Sequence, residues 1–465
     1  MSTMKNEETY PSVIESSSDS PRQVQQQLGQ LGGYPIAVDE SRYDRVIDVV
    51  EAGADNTGGT SIVPLLQQLK GDNTLLKFPP GRYYMDDEVR LTGFVNFGVI
   101  APNGATLVPA DYETFNAANR RLFRLGVYYA PGRDLRFGGF SIDQRAPNTG
   151  IRVLEAEIAD GLDVRNVEVI GQHSSGTGGP GLFNITDPAG SGTVERFWAQ
   201  SGSVPQSQTP RYQVDPEYWG PTGILSTAAH QGTITYRACR LGSFADNGLY
   251  CVTTGTTNVS GGIYQNSHNS QVRLGGVTGT IQNVTVRVDR QRDPGPSEQR
   301  GIRIQSGSNY VIDNATVTMP QPSNLGITIM DDNSSTTIRN SSVSMGSVSG
   351  KHGIVIYSGA GTVTVSNTTV TMNGSANAVQ VNGEANASNV LLDGITVTGN
   401  APGTTWRESI RIARPGTELR NVTVNQPGSD NRDGVFVNAN NVLVTGGGVT
   451  KRHGGRSESS SKTIP

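Results

Sequence analysis

Arg273 and Arg303 stand at equivalent points of two similar short segments, QVRL at 271 and GIRI at 301, and Tyr250 holds the same point one segment earlier in GLYCV. A guanidinium is a planar fork of donors that fits a carboxylate. Arg300, just ahead of Arg303, adds a third fork. Clustered guanidinium groups repel one another unless an anion offsets them, and each lowers the others' pKa, which also favours arginine as a base. Acids, amides and imidazoles precede the same segments: Asp246–Asn247, His268–Asn269, Glu298, Asn324 and Lys351–His352. Asp331–Asp332 follows one of them. One carboxylic acid and one carboxylate flanking a glycosidic bond perform hydrolysis. A base beside a bound, neutralised carboxylate performs elimination. The catalytic expectations therefore fall on Asp246 as acid or base, and on Arg273 and Arg303 as carboxylate binders of which one is a base. Asn247, Tyr250, His268, Asn269, Glu298, Arg300, Asp331 and His352 are expected to bind substrate. Asp331–Asp332 is the candidate pair for calcium, and no other cofactor is expected.

The elements that carry these residues repeat. GIRV at 150, GIL at 223, GLYCV at 248, QVRL at 271, GIRI at 301, GITI at 326, GIVI at 353, AVQV at 378, SIRI at 409 and GVFV at 434 follow one another, mostly 23–31 residues apart. A second series runs in phase: NVEV at 166, NVTV at 283, NATV at 314, NSSV at 340, NTTV at 367, GITV at 394 and NVTV at 421. Period-two alternation at a fixed repeat length predicts an all-β solenoid, a single-stranded right-handed parallel β-helix whose coils stack with inward Ile and Val. The outward middle position of the first series then reads Arg152, Leu225, Tyr250, Arg273, Arg303, Thr328, Val355, Gln380, Arg411, Phe436. Ten N-x-S/T sequons occur, and those at Asn283, Asn314, Asn340, Asn367 and Asn421 keep phase with the repeat. That phase assigns them to coil corners, where Asn tolerates a left-handed backbone, ahead of glycosylation.

Composition agrees. Only 34% of residues are hydrophobic and 6% aromatic, with 58 glycines, which suits many short strands and turns. A net charge of −4 supplies no basic field for nucleic acid. No run reaches membrane-spanning length and MSTMKNEETYPSVIESSSDSP has no apolar core of a signal peptide. The chain reads as soluble, with extracellular and virion-associated settings both compatible. Cys239 and Cys251 are too few for a disulfide framework and read as buried small hydrophobes. Residues 1–44 read as a largely disordered leader, 45–450 as the β-helix and 451–465 as a polar tail with no cap pattern. An insertion over about 172–222 breaks the rhythm and carries Trp198, Tyr212, Tyr218 and Trp219, aromatic surface suited to sugar rings.

Residues 49–85 read as strand, turn, short helix, strand, turn and strand, with Ile62, Leu65, Leu66 and Leu69 on one helical face. A helix there would cap the open end of the solenoid. Gly53, Ala54 and Thr57, followed by Phe78, Pro79, Pro80, Gly81 and Tyr83, resemble the N-terminal cap of the pectate-lyase-like β-helix superfamily. The resemblance spans roughly 45–450 and implies the fold. It also implies a carbohydrate-active protein, because that superfamily holds lyases, hydrolases, epimerases and viral tailspikes. The coils further resemble the polygalacturonase branch: Asp246–Asn247 falls at the family's aspartate pair, His268 near its histidine, and Arg303 at its arginine. Thr222, Asn247 and Gln305 depart from that pattern, where the branch has Asp, Asp and Lys. The expected partner is an acidic or hydroxylated polysaccharide, acted on by elimination or hydrolysis. The alternative is a non-catalytic glycan-binding surface or tailspike-like protein, often a homotrimer, for which Val355 and Phe436 would be outward apolar residues.

Overall fold

The computed structural model describes residues 36–116, 120–215, 217, 219–290, 298–383, 389–405, 407–426, 432–450 and 462–464. The chain forms a right-handed parallel β-helix of about 14 turns. Each coil contributes one strand to a 13-stranded sheet and one or two to a 27-stranded sheet that wraps the remaining faces. The first sheet runs from Val89–Leu91 to Asp433–Val437, entirely parallel. Its inward residues stack in register: Leu249, Val272, Ile302, Ile327, Ile354, Val379 and Ile410 pair in that order and none is exposed. Each such side chain contributes ~1.5–3 kcal/mol by leaving water, so the coils hold one another without any single large core.

The corners follow from asparagine. Asn283, Asn314, Asn340, Asn367 and Asn421 have φ of 56°, 51°, 51°, 45° and 51°, the left-handed region that Asn enters most readily after glycine. The Asn314 amide donates to Asn283 Oδ1 at 2.8 Å on the neighbouring coil. Corner geometry thus accounts for the phase of these sequons.

At the N-terminal end Phe78 and Tyr83 are fully buried, and the Tyr83 hydroxyl donates to the Pro79 carbonyl at 2.7 Å. Asp55 accepts the N–H groups of Thr57, Gly59 and Thr60 and closes the turn before them. A Cβ at Gly81 would lie 2.7 Å from the Asn56 backbone, so glycine is required there. The expected helix is present as Val63–Leu69, with Ile62 and Leu66 buried and Leu65 and Leu69 packed against the core. Among the described residues it is the only α-helix, so the helical cap expected from sequence reduces to two turns. Residues 1–35 lie outside the described residues, as do 451–461 and 465. The expectation of an uncapped C-terminus changes: Lys462–Ile464 lies antiparallel on Val442–Thr445 and covers that edge with the chain's own backbone.

Two readings of the coils are corrected. The insertion is shorter than 172–222, because Gly181–Ile185 and Ser191–Ala199 are ordinary coil strands. Their inward Phe183 and Phe197 replace the aliphatic pattern of the other coils, and flanking glycines obscure the period. Arg152 does not belong to the outward column. It pairs with Arg121, and the column continues from Leu225 through Leu182, Glu155 and Arg124 to Arg90. From Leu225 onward the column is as expected, Tyr250, Arg273, Arg303, Thr328, Val355, Gln380, Arg411 and Phe436 standing in direct register. Cys239 and Cys251 are free and fully buried. No helix among the described residues is long and apolar enough to cross a membrane.

Candidate functional site

The outward column passes through a cleft of about 750 Å³. Strand positions put Leu225, Tyr250, Arg273 and Arg303 on its floor, and the coil corners just before those strands add Thr222, Asp246, Asn269 and Glu298. The opposite wall is the loop after Ala199, which brings Arg211, Asp215, Glu217 and Trp219 to the same space. Beyond Arg303 the column is covered, since Thr328 is 0% and Val355 3% exposed.

Asp246 is held between coils. Its N–H donates to the Pro221 carbonyl and its carbonyl accepts the Asn269 N–H at 2.9 Å. Thr222 Oγ1 donates to one carboxylate oxygen at 2.8 Å and the Asn269 amide reaches the other at 3.4 Å. Burial pushes the Asp246 carboxyl above the usual carboxylate range, against the opposing pull of these bonds and of Arg273. Glu298 behaves oppositely. Its side chain is exposed and paired with Arg300 at 2.9 Å, and that bond holds its pKa below the usual value. Of the four acids on this cleft, Asp246 and Glu298 are therefore pushed apart, one toward the protonated form and one toward the ionised form.

The arginines have few internal partners. Arg273 lies over the Tyr250 ring at 5.0 Å from its centroid and donates to Gln305 Oε1 at 3.1 Å. Arg303 makes no ion pair among the described residues. Burial, and then the neighbouring Arg273 and Arg300, bring its pKa down to about 10. The Nε atoms of Arg273, Arg300 and Arg303 are all buried without an acceptor. Arg273 and Arg303 both line the cleft, and two guanidinium groups there with no carboxylate partner among the described residues suit an anionic group.

The other expected residues fall outside the lining. Asn247 is fully buried and its Oδ1 accepts the Ser270 N–H at 3.1 Å. Arg300 stands behind Glu298, and His268 lies beside Glu298, which bonds through its N–H to the His268 carbonyl. His352 is buried, its Nδ1 accepts the Asn377 N–H, and burial lowers its pKa to about 4. Asp331 sits in a bulge toward the far end of its strand, where it accepts the Gly359 N–H at 2.7 Å. No third His, Cys, Asp or Glu side chain gathers with Asp331–Asp332 into a metal-holding group among the described residues. Of the aromatic residues, Trp198 is buried under Arg240 at 4.1 Å, Tyr212 is half-buried and Tyr218 lies outside the described residues. Trp219, 76% exposed, faces the cleft. Sequence reasoning did not single out Arg211, Asp215 or Glu217, although the segment RYQVDPEYWG that carries them is dense in charge and aromatic rings.

Comparison with known proteins bears on the fold. The A-module of the mannuronan C-5 epimerase AlgE4 of Azotobacter vinelandii superposes with a TM-score of 0.50 at 13% identity, covering 85% of this chain and 100% of that one. The AlgE6 A-module of the same organism gives 0.50 at 12%, covering 87% and 99%. PfbA, a surface adhesin of Streptococcus pneumoniae, gives 0.50 at 11%, covering 86% and 92%. At this identity the likeness shows the shared β-helix alone. No protein-family model matches the chain, and no curated protein matches it in sequence.

Proposed function

We propose that the cleft binds a chain of acidic sugars and hydrolyses one of its glycosidic bonds. The observation that carries this reading is the opposed pair of acids on one arginine-lined cleft. Asp246, favouring its proton, protonates the glycosidic oxygen as the bond to the anomeric carbon breaks. Glu298, favouring its charge, takes a proton from the water that adds to that carbon. The Asp246 carbonyl accepts the Asn269 N–H, Ser270 pairs with Arg300 on the next coil, and Glu298 lies two residues before Arg300. Two coil steps of ~4.8 Å separate their backbones by roughly 10 Å, compatible with the ~6.5–9.5 Å between carboxyl groups in inverting enzymes. Arg273 and Arg303 hold sugar carboxylates, Asn269 and Tyr250 orient the rings, and Trp219 stacks on one of them.

A second reading, elimination, draws support from Arg303. Its lowered pKa favours loss of one guanidinium proton to water, and the neutral guanidine then takes the proton α to a bound carboxylate as the bond from the adjacent carbon to the glycosidic oxygen breaks. For the spike reading, Val355 is buried, and Phe436, 38% exposed beside Arg411 at 5.1 Å, is the outward apolar residue of the two that remains. We place the activity outside the cell, where such polymers occur, and assign helix Val63–Leu69 the role of covering the first coils. The test is incubation with a panel of acidic and neutral polysaccharides, following reducing ends and the ultraviolet absorbance of unsaturated uronides together. New ends without absorbance support hydrolysis, new ends with absorbance mean elimination, and binding without cleavage means a glycan-binding scaffold.

A further inference from the structure

The second series of strands carries a pattern that the cleft does not use. On five successive coils the outward pair on one narrow face is Thr316/Thr318, Ser342/Ser344, Thr369/Thr371, Thr396/Thr398 and Thr423/Asn425. Between each pair a valine points inward, and all five valines are buried. Thr316, Ser342, Thr369, Thr396 and Thr423 pair directly from coil to coil, as do Thr318, Ser344, Thr371 and Thr398, with no register shift. The first column is exposed at every coil but Thr396, which is half-exposed like Thr318, Ser344, Thr371 and Thr398, and Asn425 is exposed. Thr371 and Thr398 share a hydrogen bond at 2.9 Å. No other bond of these hydroxyls within the chain is seen among the described residues.

The result is a rigid mesh. Coils repeat at ~4.8 Å, and two residues along a strand span roughly 6.6 Å. β-Branched threonine has few side-chain rotamers, so hydroxyls and methyls hold fixed places. The mesh carries no charge over five coils, in a chain of which 17% of residues are charged. A protein partner engages aromatic, arginine or apolar anchors, and this face has none. A second copy would bury almost no apolar surface here. An uncharged, planar partner with a short two-dimensional repeat and hydrogen-bonding groups of both kinds does match, and the oxygen rows of an ice surface are such a partner. We infer that this face binds ice, ordering a layer of water on its hydroxyls and methyls that continues into the crystal. The inference stands apart from the proposed activity in the cleft.

The experiment uses the whole chain. Ice is grown slowly on a cold finger in protein solution, and protein is measured in ice and in remaining liquid; recrystallisation of fine ice is followed in parallel. Wild type is expected to concentrate in the ice and slow recrystallisation. Thr369→Lys, at the centre of the mesh, should lose both effects, while Gln380→Lys on the 13-stranded sheet should keep them. Circular dichroism melts check that both variants remain folded. Exclusion of wild type from ice overturns the inference, as does equal enrichment of Thr369→Lys. Retention of wild type on insoluble crystalline cellulose in place of ice would also overturn it, by showing a different occupant.

Discussion

Replacing Asp246 with Asn should remove activity and raise stability together, with a pH dependence that ties both to one carboxyl group. Asn keeps the shape of the side chain, and its amide oxygen can accept the Thr222 bond that Asp246 now receives at 2.8 Å. Its amide nitrogen would face the Asn269 amide, so the weak 3.4 Å contact is lost, an effect of about 1 kcal/mol or less that does not vary with pH. The transferable proton is gone. Loss of a general acid costs ~10²–10⁴-fold in rate, about 3–5 kcal/mol in the barrier at 1.36 kcal/mol per factor of ten. The stability effect has the opposite sign. Burial raises the pKa of Asp246 in the folded chain above its unfolded value. Its contribution is therefore whole below the unfolded value, near ~3.9, and is lost as pH rises through the folded value, by ~1.36 kcal/mol for each tenfold gain in proton affinity on folding. At neutral pH wild type carries this loss and Asp246→Asn does not. Denaturant melts of both proteins from pH 3.5 to about 8, a window that opens near the unfolded pKa, should show the variant gaining on wild type as pH rises. Cleavage kinetics on the best polysaccharide supply the other half. Activity within a few-fold of wild type, or a stability difference that does not change with pH, would refute the assignment of Asp246 as a buried proton donor.

Three further substitutions probe other parts of the argument. Arg303→Met should weaken binding of acidic polysaccharide by roughly 10-fold or more, the scale of a lost charge-assisted contact at ~1.5–3 kcal/mol, and leave binding of neutral polysaccharide unchanged in the same titration. Trp219→Ala should raise KM by ~2–10-fold with little change in kcat, because a ring stacked on a sugar away from the reacting bond contributes equally to ground and transition states. Glu157 is 7% exposed, and burial, followed by the nearby Glu155, pushes its pKa from 4.5 to about 7. Its contribution to stability is complete below 4.5 and lost by rising through 7, so Glu157→Gln should match wild type in acid and exceed it by about 3 kcal/mol above neutrality; equal melting curves at both ends would contradict this.

Much of the site was legible because a solenoid repeats its register. Once the coils are phased, residues far apart in sequence fall into one column, and Tyr250, Arg273 and Arg303 could be placed side by side from their neighbours Leu249, Val272 and Ile302 alone. The same logic placed the Asn corners. It failed where phase was hidden. Phe183 and Phe197 substitute for aliphatic core residues between glycine-rich turns, so one coil read as part of an insertion and Arg152 was set in the wrong column. It also could not separate residues with similar spacing but different surroundings. Asn247 and Asn269 both precede strands, yet Asn247 turns inward to the Ser270 N–H while Asn269 reaches Asp246. Asp331 carries the same chemistry as Asp246, but it stands in a bulge toward the far end of its strand, where its carboxylate accepts the Gly359 N–H.

The loop wall was the least legible part, and its physics explains why. Arg211, Asp215, Glu217 and Trp219 are aligned by no ladder, so their approach to the column depends on how the loop folds back, with Arg211 and Asp215 in contact at 3.4 Å. The two walls consequently have different duties in the proposed reaction. The strand wall is rigid, held by backbone bonds on both sides, and it carries the groups whose placement sets the chemistry. The loop wall can change in sequence without disturbing a coil, and it carries Trp219 and the acids that meet the rest of the polymer. Substitutions at Asp246 and Glu298 should therefore act on kcat, and those on the loop wall, like Arg303 on the floor, on the choice among polysaccharides. A loop variant that lowered kcat equally on every substrate would place part of the reacting machinery on the loop and undo that division.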